Sequence, residues 1–268
     1  MARTEFSVNY NDMLSEILTK EGTVSKCFSL FHNYSVNNQF LAYWQLKSKG
    51  LAVSPINCFT GWNKLGRTIK KGEKALWLWM PLGQGYTKVK DENGEEKLVP
   101  SYVKFGFKNR WFALSQTEGK EIEPEKLELP NFSFNKIYDF YGIKLVPFEK
   151  MNGNVQGYAD TKARTLAINP LAEDPEMTIL HEVAHIALNH CDVDYGNYIK
   201  ELEAEAVAYI VGSVLNVNEE QLSHSRGYIQ GWFKENEVPE KHAKNIMKVA
   251  QKILDLGYGK SNKSKGNK

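Results

Sequence analysis

The pentapeptide His181-Glu182-Val183-Ala184-His185 constrains this 268-residue chain more than any other stretch. Histidines one helical turn apart present their imidazoles on one face, a geometry that can chelate a metal ion. The surrounding residues favour that helix. Asp174 followed by Pro175 supplies an N-cap and a first helical residue, and Met177, Leu180, Ala184 and Leu188 recur at helical spacing. The pattern predicts a helix over residues 175–190 carrying two ligands with a carboxylate, Glu182, between them.

A metal that works on a substrate needs a third protein ligand and one position left open for water. The next helical segment supplies Glu201 and Glu205, four residues apart on one face, whereas Glu203 points elsewhere. Spacing alone leaves Glu201 and Glu205 as alternatives. His190 and Cys191 lie about one and a half turns beyond His185 on a different face, and are expected to be structural or exposed. Two imidazoles and a carboxylate suit zinc, or another divalent ion. Zinc lowers the pKa of its water toward about 7, and Glu182 is placed to take the proton and pass it to a leaving amine. A helix with this motif followed by a Glu-x-x-x-acid helix resembles the gluzincin metallopeptidases. That resemblance implies Glu201 as ligand, Glu205 as the partner that orients a ligand histidine, and the strand TLAIN before the helix as an edge for an extended peptide.

The net charge of +2 hides a segregation of sign. Residues 1–115 carry 16 Lys/Arg against 9 Asp/Glu, and residues 116–259 carry 14 against 23. From Gly22 to Lys90 ten basic residues and eleven aromatics interleave with a single acid, Glu73. Basic side chains neutralise phosphates and exposed rings stack on unpaired bases, the equipment of single-strand binding. Within this stretch, SVNNQFLAYWQLKSKG reads as a helix capped by Ser35 and closed by Gly50. An apolar strand follows that Pro81 should end, and DENG at 91–94 marks a hairpin. Trp77 and Trp79 share a strand face and are expected in the core, leaving Trp62, beside Lys64, Arg67, Lys70, Lys71 and Lys74, to stack on bases.

Two runs in this half, YSVNNQFLAYWQ and GWNKLGRTIKKGEKALWLWMP, resemble the single-stranded-DNA-binding domain of the ArdC antirestriction family, in its shorter LtrC-like form. The resemblance rests on Tyr34, Ser35, Asn38, Leu41, Gln45, Trp62, Gly66, Arg67, Lys71, Gly72, Lys74 and Pro81, and the metal-motif half resembles the metallopeptidase domain of the same proteins. It implies single-stranded DNA as a partner, a protein or peptide substrate, and protection of incoming plasmid DNA from restriction. The nucleic-acid-binding residues expected on this basis are Tyr34, Asn38, Gln45, Trp62, Lys64, Arg67, Lys70, Lys71 and Lys74. Two other functions fit the same residues: a DNA-shielding protein whose metal only staples the fold, and a regulatory protease that cleaves a repressor of a mobile element.

The expected architecture is α+β. A domain of helices and a small antiparallel sheet over 1–115 leads through an acidic, proline-broken linker, 116–130, to a mostly helical peptidase domain over 131–259. In that domain a β-hairpin, VQGYADTKARTLAIN, precedes the metal-motif helix, further helices occupy 199–215, 219–234 and 239–256, and 260–268 form a disordered basic tail. Three cysteines without a CxxC pair argue against a disulfide framework and for a reducing compartment, the bacterial cytoplasm. No apolar window approaches the roughly 18 residues of a membrane span, so no membrane partner is expected.

Overall fold

The structure, a computed structural model, describes residues 6–90, 95–123, 127–150 and 154–260. It opens with α1 (Tyr10–Leu18) and α2 (Thr23–Phe31). Each buries one apolar stripe, Met13, Leu14 and Ile17 on the first and Val24, Cys27 and Phe31 on the second. Helix α3 (Val36–Ser48) begins and ends on the expected signals. Ser35 Oγ accepts the Asn38 N–H at 3.4 Å, and Gly50 takes the left-handed conformation, φ 65°.

Next come β1 (Ile56–Cys58), α4 (Phe59–Lys64), β2 (Arg67–Ile69), β3 (Leu76–Lys90), β4 (Glu96–Ala113) and β5 (Thr117–Gly119). The antiparallel sheet has the order β1-β4-β3, and β2 pairs with β5. Strand β3 does not stop at Pro81. The proline sits where the register shifts between Pro81 and Gly83, a bulge at which a missing N–H is tolerated, and pairing with β4 continues to Lys90 opposite Glu96. The expected DENG turn at 91–94 lies outside the described residues. Leu76 and Leu78 fill the core, so the period of two turns Trp77 and Trp79 to the other face. There they are half-buried, Trp77 stacked on Phe6 and Trp79 packed against Phe107 with its ring tilted by 37°, rather than in the core as expected.

The chain continues through α5 (Phe134–Tyr141), β6 (Lys144–Leu145), β7 (Gly157–Asp160), β8 (Thr165–Ile168), α6 (Pro175–Ala187), α7 (Asn197–Leu215), α8 (Glu219–Glu235) and α9 (Glu240–Gly257). β7 and β8 form the expected hairpin, and β6 lies parallel to β8 on its far side. The Asp174 carboxylate caps α6 by accepting the Met177 N–H at 3.0 Å. Helix α7 is buried almost all round from Leu202 to Val214 and packs on α2, α6, α8 and α9, so it is the core of this half. The fold is α+β, as expected. The tail residues 261–268 lie outside the described residues.

Contacts divide the molecule into two compact units, residues 6–7 with Leu41–Glu123, and Val8–Phe40 with the chain beyond residue 123. This corrects the expected boundaries. Helices α1 and α2 belong with the second unit, where Ser25 Oγ donates to Ser213 O at 2.9 Å and Gln230 Nε2 to Thr19 O at 2.7 Å. Their apolar stripes are covered by α7, α8 and α9, some 200 residues later, and nothing local announces that pairing. The expected linker over 116–130 also starts too early. Gln116 and Thr117 are buried, Gln116 Oε1 accepts the Ala113 N–H at 2.9 Å, and its Nε2 donates to Lys74 O at 3.0 Å.

Candidate metal centre

Helix α6 carries His181 and His185 one turn apart, and α7 packs along it with Glu201. The two Nε2 atoms stand 3.1 Å apart, and Glu201 Oε2 lies 3.3 Å from the first and 3.6 Å from the second. One ligating atom from each residue thus falls within 4.8 Å of the others. Glu205, one turn along α7, does not join them. It accepts the His181 Nδ1–H at 2.8 Å, which fixes that ring with its Nε2 toward the common point. Glu203 turns the other way and is fully buried, as are all but 4% of His190; Cys191 is exposed.

The electrostatics suit a cation. Burial pulls His181 down, but hydrogen bonds to Glu201 and Glu205 outweigh it and push its pKa up to about 10. Hydrogen bonds to His181 and then His185 hold Glu201 well below the usual carboxylate range. Burial raises Glu182 above its ordinary value, although the two histidines oppose this and the Ala159 N–H bonds its carboxylate. Burial keeps His190 below the ordinary imidazole range. Two imidazole nitrogens facing a common point with three carboxylates around them form a set that fits a divalent ion, which would take the place of the proton that those carboxylates otherwise hold on His181.

Two clefts meet at His181 and Glu182. One, of about 920 Å³, is bounded by Gln156, Asp174, Glu205, His224 and Tyr228, and a smaller one, of about 360 Å³, by Tyr158, His185, His190 and Glu201. Gly157, on β7, lines both. The edge beside the site is therefore β7. The expected edge, TLAIN, is β8, which lies inside the sheet with a neighbour on each side. A Cβ on Gly157 would stand 2.6 Å from Thr178 Cγ2 and 3.1 Å from Ala167 O, so only glycine lets β7 lie this close to α6. Sequence reading missed Tyr228 and His224, whose only signal is a place on α8 that tertiary packing brings to the cleft.

The expected nucleic-acid residues are divided between the two units. Tyr34 and Asn38 lie in the second unit and the other seven in the first. Two of those seven are interior. Trp62 is 2% exposed with Nε1 donating to Phe112 O at 2.8 Å, and Gln45, equally buried, is bonded to Leu41 O and to both the N–H and the carbonyl of Trp77. These bonds correct their assignment as base contacts: a side chain that satisfies buried backbone groups is not free to meet a ligand. Arg67 is spent in the same way, its guanidinium donating to Thr117 Oγ1 at 2.7 Å, Thr117 O at 2.9 Å, Gly119 O at 3.3 Å and Lys120 O, which ties β2 to β5. Lys64, Lys70, Lys71 and Lys74 are exposed. A cleft of about 600 Å³ in this unit is lined by Trp44, Lys49, Lys74, Trp77 and Asn109, and burial with the nearby Lys74 lowers the Lys49 pKa.

Compared with known proteins, the chain matches no family model and no curated protein in sequence. In structure it matches the crystal structures of the antirestriction ArdC protein from the R388 plasmid. The metal-free form aligns at a TM-score of 0.52 and 18% identity over 95% of this chain and 99% of that one. The Mn(II)-bound form aligns at 0.53 and 16%, over 94% and 97%. At such identities the likeness establishes a shared fold over nearly the whole of both chains.

Proposed function

From the fold it shares with that protein, we propose that this chain is an ArdC-like antirestriction protein of a mobile element, which binds single-stranded DNA and carries a metal-dependent peptidase site. The convergence of His181 Nε2, His185 Nε2 and Glu201 Oε2 within 4.8 Å of one another carries this reading. These three residues would hold the ion. Zinc is the assignment for two imidazoles and a carboxylate, with manganese, which the R388 protein binds, as the alternative. When bound, a divalent ion supplies Lewis-acid polarisation of a carbonyl and a water that is nucleophilic near neutral pH.

The protein's own groups do the rest. Glu182 takes the proton of the attacking water and hands it to the leaving amine, and its burial-raised pKa suits a group that must both accept and release a proton. Glu205 holds the His181 ring by its Nδ1–H and so keeps the opposite nitrogen available. The outer edge of β7 offers backbone groups to an extended peptide lying alongside Glu182. Tyr228 borders the larger cleft with His181 and Glu182, and its hydroxyl is the group we assign to donate to an oxygen that becomes negative.

Single-stranded DNA is assigned to the first unit, in which Leu41–Glu123 carry 14 Lys/Arg against 8 Asp/Glu. Trp44 and Trp77 with Lys49 and Lys74 place rings and ammonium groups in one cleft, which matches stacking on a base beside a neutralised phosphate. Trp44 and Lys49 take the place of Trp62 and Arg67 in this assignment.

Elemental analysis of the purified chain beside His181→Ala and Glu201→Ala tests the metal half. One ion per wild-type chain and a large loss in both variants is the expected result, and equal metal in all three would overturn it.

A further inference from the structure

The most unusual polar cluster among the described residues lies behind the metal ligands, not among them. Asn189 takes a left-handed conformation, φ 57°, just past the end of α6 and turns the chain back on itself. The turn brings the His190 N–H to within 3.2 Å of His185 O and sets His190 Nδ1 2.7 Å from His185 Nδ1. His190 Nε2 lies 3.1 Å from Glu203 Oε2. The same carboxylate, fully buried, accepts from Tyr195 Oη at 2.5 Å and from His242 Nδ1 at 3.0 Å.

Counting protons along this chain leaves one arrangement for neutral rings. A carboxylate only accepts, so the hydrogen between Glu203 and His190 sits on His190 Nε2. A neutral His190 then has a bare Nδ1. Two bare nitrogens 2.7 Å apart would repel, so His185 Nδ1 carries the hydrogen between the rings. Its lone pair is left on Nε2, the atom that faces His181 and Glu201. A carboxylate buried only to tie α7 to α9 would be costly, and such a tie could end at Glu203 and His242. This one continues through His190 to the single nitrogen of His185 that must stay protonated if the other is to ligate.

We propose that His190 and Glu203 are positioning residues for the metal centre, holding His185 in the Nδ1–H tautomer with Nε2 free for the ion, as Glu205 does directly for His181. The inference rests on the reading of His181, His185 and Glu201 as a ligand set. It adds that the second histidine is oriented through another histidine rather than by a carboxylate in contact with it.

The test uses the full-length chain with ¹⁵N-labelled histidine, read by two-bond ¹H–¹⁵N correlation without metal and after loading with Zn(II), together with Zn(II) affinity by competition with a chromophoric chelator. Metal-free wild type should show His190 as the Nε2–H form and His185 as the Nδ1–H form. His190→Phe, which removes the acceptor, should weaken Zn(II) binding by about 10–100-fold. His190→Asn should recover most of that loss, because its Oδ1 can accept the same hydrogen. Glu203→Gln is read for ring tautomers alone, so a folding defect there leaves the His190 pair to decide. Unchanged affinity in His190→Phe, or a His190 that carries its hydrogen on Nδ1, overturns the inference while leaving the ligand set intact. A wild-type chain that takes up no Zn(II) removes both.

Discussion

Glu182 sits between the two proposed ligand histidines on one helix, and its use separates a working metal site from a staple. Replacing it with Gln keeps the shape and removes the proton acceptor. The variant should hold the wild-type content of metal and lose at least about a hundredfold in cleavage of a mixed peptide library followed by mass spectrometry. Equal cleavage by both would make the metal structural. Trp62 carries a contrasting prediction. Its ring is 2% exposed and its Nε1–H satisfies the Phe112 carbonyl, so Trp62→Ala should destabilise its unit by about 3–5 kcal/mol in denaturant unfolding. A variant of undiminished stability that had lost only its DNA affinity would return Trp62 to the binding surface.

At the scale of elements, the site depends on how closely three pieces of secondary structure approach. Helix α7 places Glu201 and Glu205 on the face turned toward α6, and Glu203 on the face turned away toward His190 and His242. Strand β7 reaches α6 only because Gly157 has no side chain. Gly157→Ala puts a methyl against Thr178 Cγ2 and the Ala167 carbonyl, and should cost about 1–3 kcal/mol of stability while moving β7 away from Glu182. A thermal melt identical to wild type would show that the approach is looser than drawn.

For the whole molecule, the proposed ligands all lie in the second unit and the exposed lysines of the proposed DNA surface in the first. The two functions should then separate. Chelating the metal from the full chain is expected to leave single-strand affinity within about twofold, a change of only a few tenths of a kcal/mol. Replacing Lys64, Lys71 and Lys74 with Ala should flatten the slope of log affinity against log salt by about 2, since each lost contact on a single strand removes about 0.7 of counterion release. Fluorescence anisotropy with a labelled oligonucleotide reads both, and a slope unmoved by the triple change would take the DNA off these lysines.

Much of the site was legible because it is periodic. Two histidines one turn apart, a capping Asp174 before Pro175, and two glutamates one turn apart on the next helix are features of local spacing, and helical geometry turns local spacing into a shared face. The long strands β3 and β4, though not the continuation of β3 past Pro81, and the hairpin before α6 were legible for the same reason. Spacing could not decide which glutamate faces both histidines, because that depends on the rotation of α7 against α6. Nor could it place Trp62 and Gln45 inside rather than on the surface, tie the Arg67 guanidinium to β5, join α1 and α2 to helices 200 residues away, or bring His190 behind His185 through one left-handed residue. Those outcomes belong to the tertiary structure, since they are set by which apolar stripes cover one another and which buried polar groups then find partners, and both are relations between segments far apart in the chain.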